Sequence, residues 1–266
     1  VGIITAIGPS HLEFFNTIEE VIKEKENIIR FLKPEDWAIL NNDDNLIMGM
    51  KKNTPAQVFT FGLTSEANIR AEKIEFEKDG SGIMAEIIFG QERNFASFKN
   101  VLSLSQLNSF LIGIAVGKKY GLQLSEAVDS LRDFKFPLGR LNLIKGIKNT
   151  LLIDDTYNSS PKAVKVALEV LSRLSCTGRR WAVLGDMLEL GSFTESAHEE
   201  VGEWVKQYKV DLLITVGEKS KDTAKIAEIN GLPKEKVLSF NNSVEAGKFI
   251  QNEIAAGDVI LVKGSQ

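Results

Sequence analysis

Two short runs concentrate the side chains that could do chemistry: Asp154-Asp155-Thr156-Tyr157-Asn158-Ser159-Ser160-Pro161 and Gly185-Asp186-Met187-Leu188-Glu189-Leu190-Gly191. In the first, two carboxylates meet a turn that opens a helix, with Pro161 suited to the first helical turn. Free N–H groups at such a start attract an anion. A carboxylate beside them can take a ribose hydroxyl or orient a metal-bound water. Helix capping and a turn account for the same residue types, since Asp, Asn and Ser favour both. In the second run two acids lie on a loop bounded by glycines, which let a backbone approach a ligand closely. An ordinary strand-to-helix loop has the same composition.

Other candidates stand singly. His11 follows a strand and the turn Gly8-Pro9-Ser10. That places it at a ligand-facing edge, where a neutral imidazole can bind a metal or donate a hydrogen bond. His198 sits in a polar helix start, Glu195-Ser196-Ala197-His198-Glu199-Glu200, and reads as solvated. Lys23 and Lys25 lie in Lys23-Glu24-Lys25-Glu26, the pattern of a solvated helix face. Arg140, after Gly139, is either a surface arginine or a phosphate or ribose ligand. Lys263-Gly264-Ser265 ends the last strand and could face the same cleft as Arg140.

Composition narrows the chemistry. With 266 residues the chain is long enough for two domains at about 150 residues each. Its 32 basic and 36 acidic residues give a net charge of −4, so no basic nucleic-acid footprint is expected. The single cysteine, Cys176, can form neither an internal disulfide nor a cysteine metal site, which fits a reducing, cytoplasmic setting. No apolar run reaches the roughly 18 residues that span a bilayer. No GxxxxGK[ST] phosphate loop, GxGxxG fingerprint, HExxH zinc motif or GxSxG elbow occurs.

The elements that must position these groups follow from periodicity. Val1–Ile7 reads as a strand, Thr17–Leu32 as a helix opened by a Thr17/Glu20 capping box, and Trp37–Leu40 as a buried strand ending in Asn41-Asn42-Asp43-Asp44. Ala56–Phe61 is a further strand. Ile69–Glu77 and Ile83–Phe89 flank Asp79-Gly80-Ser81-Gly82 as a hairpin. Helices are expected over Ser105–Tyr120 and Ser125–Phe134. Pro137-Leu138-Gly139 reads as a hinge between domains, followed by a hairpin of Leu141–Lys145 and Thr150–Ile153. Beyond it four helices and four strands alternate: Pro161–Leu174, Trp181–Leu184, Glu195–Tyr208, Leu212–Val216, Ser220–Asn230, Val237–Phe240, Val244–Glu253 and Val259–Val262. Such alternation predicts a mostly parallel, doubly wound α/β sheet. Ligands of such sheets sit beyond the carboxyl ends of the strands, where the acid-rich runs lie.

Read in order, these segments resemble the Mur ligase family. The resemblance rests on Ile4-Thr5-Ala6-Ile7-Gly8-Pro9-Ser10-His11-Leu12-Glu13, Lys23-Glu24-Lys25, Leu40-Asn41-Asn42-Asp43-Asp44, Gly139-Arg140, the two acid-rich runs with His198, and Val262-Lys263-Gly264-Ser265. It covers nearly the whole chain. It implies part of a central ATPase domain over 1–136, followed by a Rossmann-like C-terminal ligase domain over 137–266, truncated at its end. Both ends then read as cut from a longer protein, whose first domain and phosphate loop would precede Val1. The chain alone is expected not to ligate.

The resemblance also implies roles. His11 would help hold magnesium, and Lys25, as a carbamate, would supply a second metal-binding group; both would be catalytic. Arg140, Asp155, Tyr157 and Asn158 would face the nucleotide. The family has an Asn contacting adenine near the start of a helix; counting back from Gly121 puts Ser109, not Asn108, at that place. Lys263 and Ser265 would bind substrate. The implied reaction is ATP- and Mg2+-dependent addition of D-alanyl-D-alanine to UDP-N-acetylmuramoyl-tripeptide through an acyl phosphate, in peptidoglycan synthesis. The protein would be cytoplasmic and monomeric, with no nucleic-acid partner and no membrane insertion. Closure about Pro137–Arg140 is expected to bring the groups of both domains to one crevice. Other Mur-type or folylpolyglutamate ligases, and a non-catalytic nucleotide-binding or interaction module, remain as alternatives. The Tyr157–Pro161 turn favours the dipeptide-adding branch, and the lack of an Asp-Asn-Pro-Arg run disfavours the diaminopimelate-adding one.

Overall fold

The computed structural model describes residues 1–8 and 17–265. Contacts divide them into two units, Val1–Glu77 with Ser81–Lys135, and Lys78–Gly80 with Phe136–Gln266. Each is described by itself.

The first strand, β1 (Gly2–Ile4), is shorter than the Val1–Ile7 expected. The reason is local. Beyond Ile4 the backbone is held by side chains instead of a neighbouring strand: Thr5 O accepts from Asn41 Nδ2 at 2.9 Å, Ala6 O from Lys25 Nζ at 3.0 Å, and Ile7 N–H donates to Asp44 Oδ2 at 3.2 Å. Helix α1 (Ile18–Arg30) starts at Thr17, whose hydroxyl accepts from Glu20 N–H. Strand β2 (Trp37–Asn41), the short helix α2 (Asn45–Gly49), and strands β3 (Gln57–Gly62), β4 (Ile69–Phe76), β5 (Gly82–Phe89) and β6 (Glu92–Lys99) follow. Helices α3 (Leu104–Lys119) and α4 (Leu124–Asp129) end the unit.

The six strands form one sheet in chain order, parallel from β1 to β4 and antiparallel from β4 to β6. Strand β6 is not among the strands expected from periodicity. Its residues Glu92-Arg93-Asn94-Phe95-Ala96-Ser97-Phe98-Lys99 bury only Ala96 and Phe98, so an edge strand with one partly covered face carries little apolar signal. Phe98 packs edge-on against Phe110, and Phe110 against Phe134, with centroids 5.0 and 5.7 Å apart. Helix α4 stops at Asp129, short of the expected Phe134. Ser130 Oγ turns back onto Ala127 O at 2.8 Å there, and the chain continues in turns.

The second unit holds β7 (Asn142–Lys145), β8 (Leu151–Asp155), α5 (Pro161–Arg173), β9 (Arg180–Gly185), α6 (Thr194–Gln207), β10 (Leu212–Val216), α7 (Lys221–Ile229), β11 (Val237–Phe240), α8 (Ser243–Glu253) and β12 (Val259–Lys263). Its sheet runs β11-β10-β9-β12-β8-β7, parallel except for the edge hairpin β7–β8. The last strand is thus inserted between β8 and β9, which puts residues about a hundred positions apart side by side. Trp181, Val183, Ile214 and Ile260 cluster with Ala246, Phe249 and Ile250 of α8. Their alternates Ala182, Leu184, Leu213 and Leu261 are also buried, on the opposite face by strand alternation. Helices α5, α6 and α7 pack in series. Both sheet faces are covered, and the fold is the doubly wound α/β arrangement expected. Among the described residues no helix is long and apolar enough to cross a membrane.

Candidate functional site

The strand order of the second unit decides which side chains meet. Lys263 ends β12 in register with Asp155 at the end of β8. Its ammonium donates to Asp155 Oδ2 at 2.6 Å and to Asn158 O at 2.8 Å. Lys263 is 3% exposed and Asp155 6%. Burial pushes the Lys263 ammonium below the usual lysine range, and the positive charge of Arg140 acts in the same direction, against the pull of Asp155.

The other Asp155 oxygen accepts from Leu141 N–H at 3.1 Å, and Asp154 Oδ2 accepts from Gly139 N–H at 3.1 Å. Two neighbouring carboxylates therefore clamp Gly139-Arg140-Leu141 from both sides of Arg140. The run does not supply the side-chain cap that composition allowed: α5 begins at Pro161, and Ser160, at the N-cap position before it, makes no side-chain capping bond. Tyr157 N–H donates to Gly139 O at 3.1 Å, and the exposed Arg140 guanidinium lies 3.9 Å from the centre of the Tyr157 ring. Gly139 has φ +72°, and a Cβ there would lie 2.9 Å from Tyr157 N. Leu141, at φ +56°, also occupies the left-handed region.

Ser265 completes the corner. Its N–H donates to Asp186 O at 3.1 Å and its hydroxyl to Asn158 Oδ1 at 3.3 Å, while Leu188 N–H donates to the same hydroxyl oxygen at 3.2 Å. Six of the residues singled out from sequence, Arg140, Asp155, Tyr157, Asn158, Lys263 and Ser265, thus converge beyond the carboxyl ends of β8 and β12. A doubly wound sheet exposes its ligand crevice at that end. Asp186, from the second acid-rich run, faces the neighbouring loop, where Ser220 N–H donates to its Oδ1 at 2.8 Å.

The remaining candidates lie in the first unit. Lys25 is half-buried on α1, donating to Ala6 O beyond the carboxyl end of β1. Ser109 is exposed on α3 with its hydroxyl on Ser105 O at 3.3 Å. Next to it, Asn108 Oδ1 is buried with no hydrogen-bond partner among the described residues. His11 lies outside the described residues. Among the described residues no group of three or more His, Cys, Asp or Glu side chains could hold a metal ion.

His198 is the clearest correction. It is not solvated but 1% exposed. Met187 N–H donates to its Nε2 at 3.0 Å, and its Nδ1 lies 2.7 Å from Thr194 O. A periodic signal was present: Val201 and Val205, three and seven residues on, share its buried face. The flanking glutamates masked it.

The sequence matches two Mur ligase domain families, the Mur ligase middle domain over residues 1–115 and the Mur ligase, glutamate ligase domain over 139–266. It is 29% identical to the UDP-N-acetylmuramoyl-tripeptide–D-alanyl-D-alanine ligase of Bacillus subtilis, over all of this chain and 56% of that protein. The enzyme of the same name from Escherichia coli is 28% identical over 82% of this chain and 48% of its own length. The chain therefore spans about half the length of these relatives. MurF from Acinetobacter baumannii superposes with a TM-score of 0.85 at 24% identity, over 99% of this chain and 56% of that one. MurF ligase from Thermotoga maritima, solved in complex with ADP, gives 0.81 at 24% identity, over 99% and 58%. With two of its domain families matched in order along nearly the whole sequence, the chain belongs to the Mur ligase family.

Proposed function

We propose that this chain works within a longer polypeptide as the later part of an ATP-dependent amide ligase, one that adds D-alanyl-D-alanine to UDP-N-acetylmuramoyl-tripeptide in cytoplasmic peptidoglycan synthesis. In this reading the tripeptide's terminal carboxylate takes the γ-phosphoryl group of ATP, releasing ADP. The dipeptide amine then attacks the acyl carbon, and phosphate leaves as the amine loses its proton. Phosphoryl transfer of this kind depends on positioning and charge neutralisation more than on covalent help from the protein.

The observation that carries the reading is the clamped Arg140. Asp154 and Asp155 fix the backbone on either side of Arg140 through Gly139 N–H and Leu141 N–H, and its guanidinium, lying over the Tyr157 ring, can meet phosphate oxygens as a planar fork of donors. Tyr157 and Asn158, both exposed, complete the proposed nucleotide-facing turn, which the buried Asp155 holds in place through Leu141 N–H and Lys263. Lys263 fixes that turn from below through Asp155 and Asn158 O, and presents Ser265 to the acceptor substrate. In the first unit the α3 start, at Ser109, is proposed to lie near adenine.

Magnesium, when bound, would neutralise charge developing on the phosphates. Its proposed holders are His11 and Lys25. The unmodified Lys25 ammonium can only donate, as it does to Ala6 O; as a carbamate it would offer hard oxygen ligands that suit this ion. The chain is proposed to act as a monomer.

The test is phosphate release by a polypeptide of family length containing this chain. Release should require ATP, Mg2+, the UDP-linked tripeptide and D-alanyl-D-alanine together, and Arg140→Ala should lower it by at least an order of magnitude. Release indifferent to the dipeptide would overturn the reading.

A further inference from the structure

The loop between β9 and α6 is tied down in a way that the proposed reaction does not by itself explain. Asp186 O accepts from Ser265 N–H, Met187 N–H goes to His198 Nε2, and Leu188 N–H goes to Ser265 Oγ. Glu189 then takes φ +62°, an unusual conformation for a residue with a side chain, and the chain turns back at Gly191, φ +56°. A backbone N–H can only donate, so Nε2 must accept. The ring proton therefore sits on Nδ1, where Thr194 O, 2.7 Å away, receives it. Thr223 Oγ1 donates to His198 O at 2.8 Å and locks the carrier helix α6 to α7. The imidazole is a buried two-ended peg between the loop and the start of α6.

The consequence reaches Ser265. Its hydroxyl oxygen accepts from Leu188 N–H, which turns the hydroxyl hydrogen toward Asn158 Oδ1. One lone pair is left to meet a donor from outside. We propose that His198 is a positioning residue for the acceptor substrate: by holding Met187 through Nε2 it sets Leu188 N–H, and with it the orientation of the Ser265 hydroxyl toward an ammonium or amide N–H of the incoming dipeptide. This rests on the reading of Ser265 as substrate-binding given above. His198 does not touch substrate; it acts through two adjacent backbone amides.

Two substitutions separate this role from simple core packing. The end of a glutamine side chain reaches the place of Nε2 and can offer an oxygen to Met187 N–H. Asparagine reaches only the place of Nδ1, and can donate to Thr194 O but not accept from Met187. In the chain itself, His198→Asn should speed amide hydrogen exchange at Met187 and Leu188 by about tenfold, and His198→Gln should leave it near the unmodified rate. In the family-length ligase, His198→Asn should raise KM for D-alanyl-D-alanine about tenfold while KM for ATP and kcat stay within about twofold; His198→Gln should restore the dipeptide KM. A merely structural histidine would make both variants fail alike, and that outcome overturns the proposal. So does a loosened loop with an unchanged dipeptide KM. In the unmodified chain, nitrogen-15 spectra must show a ring protonated at Nδ1 and bare at Nε2; protonation at Nε2 overturns it without any variant. A family-length polypeptide that shows no dipeptide-dependent turnover would instead strike the functional reading, while exchange at Met187 still reads the peg.

Discussion

The Lys263 ammonium and the Asp155 carboxylate lie 2.6 Å apart, at the ends of adjacent parallel strands, with side chains 1% and 9% exposed. Neither could be buried alone. The pair is held because Asn158 O takes a second ammonium hydrogen and Leu141 N–H occupies the other carboxylate oxygen. Removing one partner strands a buried charge, whereas replacing both need not.

Lys263→Met should therefore destabilise the second unit by about 3 kcal/mol. The double variant Lys263→Met/Asp155→Leu should lose less than the sum of the two single changes. Urea unfolding followed by Trp181 and Trp204 fluorescence measures both. Additive losses would show that the two groups are not coupled.

Asp154 should matter for nucleotide handling more than for stability. Its carboxylate holds Gly139 N–H and accepts from Thr156 Oγ1 at 2.7 Å, on the exposed side of the clamp. Asp154→Ala should loosen Arg140 and raise KM for ATP about tenfold in the family-length ligase, at a stability cost of about 1 kcal/mol. Tyr157→Leu, which removes the stacking face, should produce a smaller rise of a few-fold. Steady-state kinetics with ATP varied is the check. An Asp154→Ala enzyme with an unchanged ATP KM would separate the clamp from the nucleotide.

Gly139→Ala tests the backbone of the same segment. At φ +72°, with a new Cβ 2.9 Å from Tyr157 N, the substitution meets both an unfavourable conformation and a backbone clash. A loss of about 2 kcal/mol is expected, with a lower thermal midpoint in calorimetry. Gly8→Ala, where a Cβ would meet no atom within 4 Å among the described residues, provides the comparison.

Acid sensitivity should trace to Asp258. Burial raises its carboxyl, but hydrogen bonds from the Arg179 side chain, from Ala255 N–H and from Arg179 N–H outweigh this and hold it below the usual range. A carboxyl lowered in the folded state contributes stability that is present above its unfolded value of about 3.9 and is lost as pH falls through the folded one. Asp258→Asn should lower stability at neutral pH and flatten its decline below about pH 4. Parallel acid-unfolding curves for the two proteins would remove Asp258 as the cause.

The sequence by itself determined the alternation of strands and helices in the second unit and the family. Each is a local property: period, caps, and residue types at fixed spacing. Strand β6 and the true extent of β1 were hidden, because an edge strand shows few apolar residues and because Asn41, Asp44 and Lys25 replace a strand partner beyond Ile4. Only the tertiary structure decided that Lys263 belongs with Asp155 and Asn158, since β12 enters the sheet between two strands formed much earlier in the chain. It also decided that His198 is a buried peg. Six consecutive polar or small residues look solvated until the loop from β9 is laid over one of them, and hydrogen bonds between distant segments leave no period in a sequence.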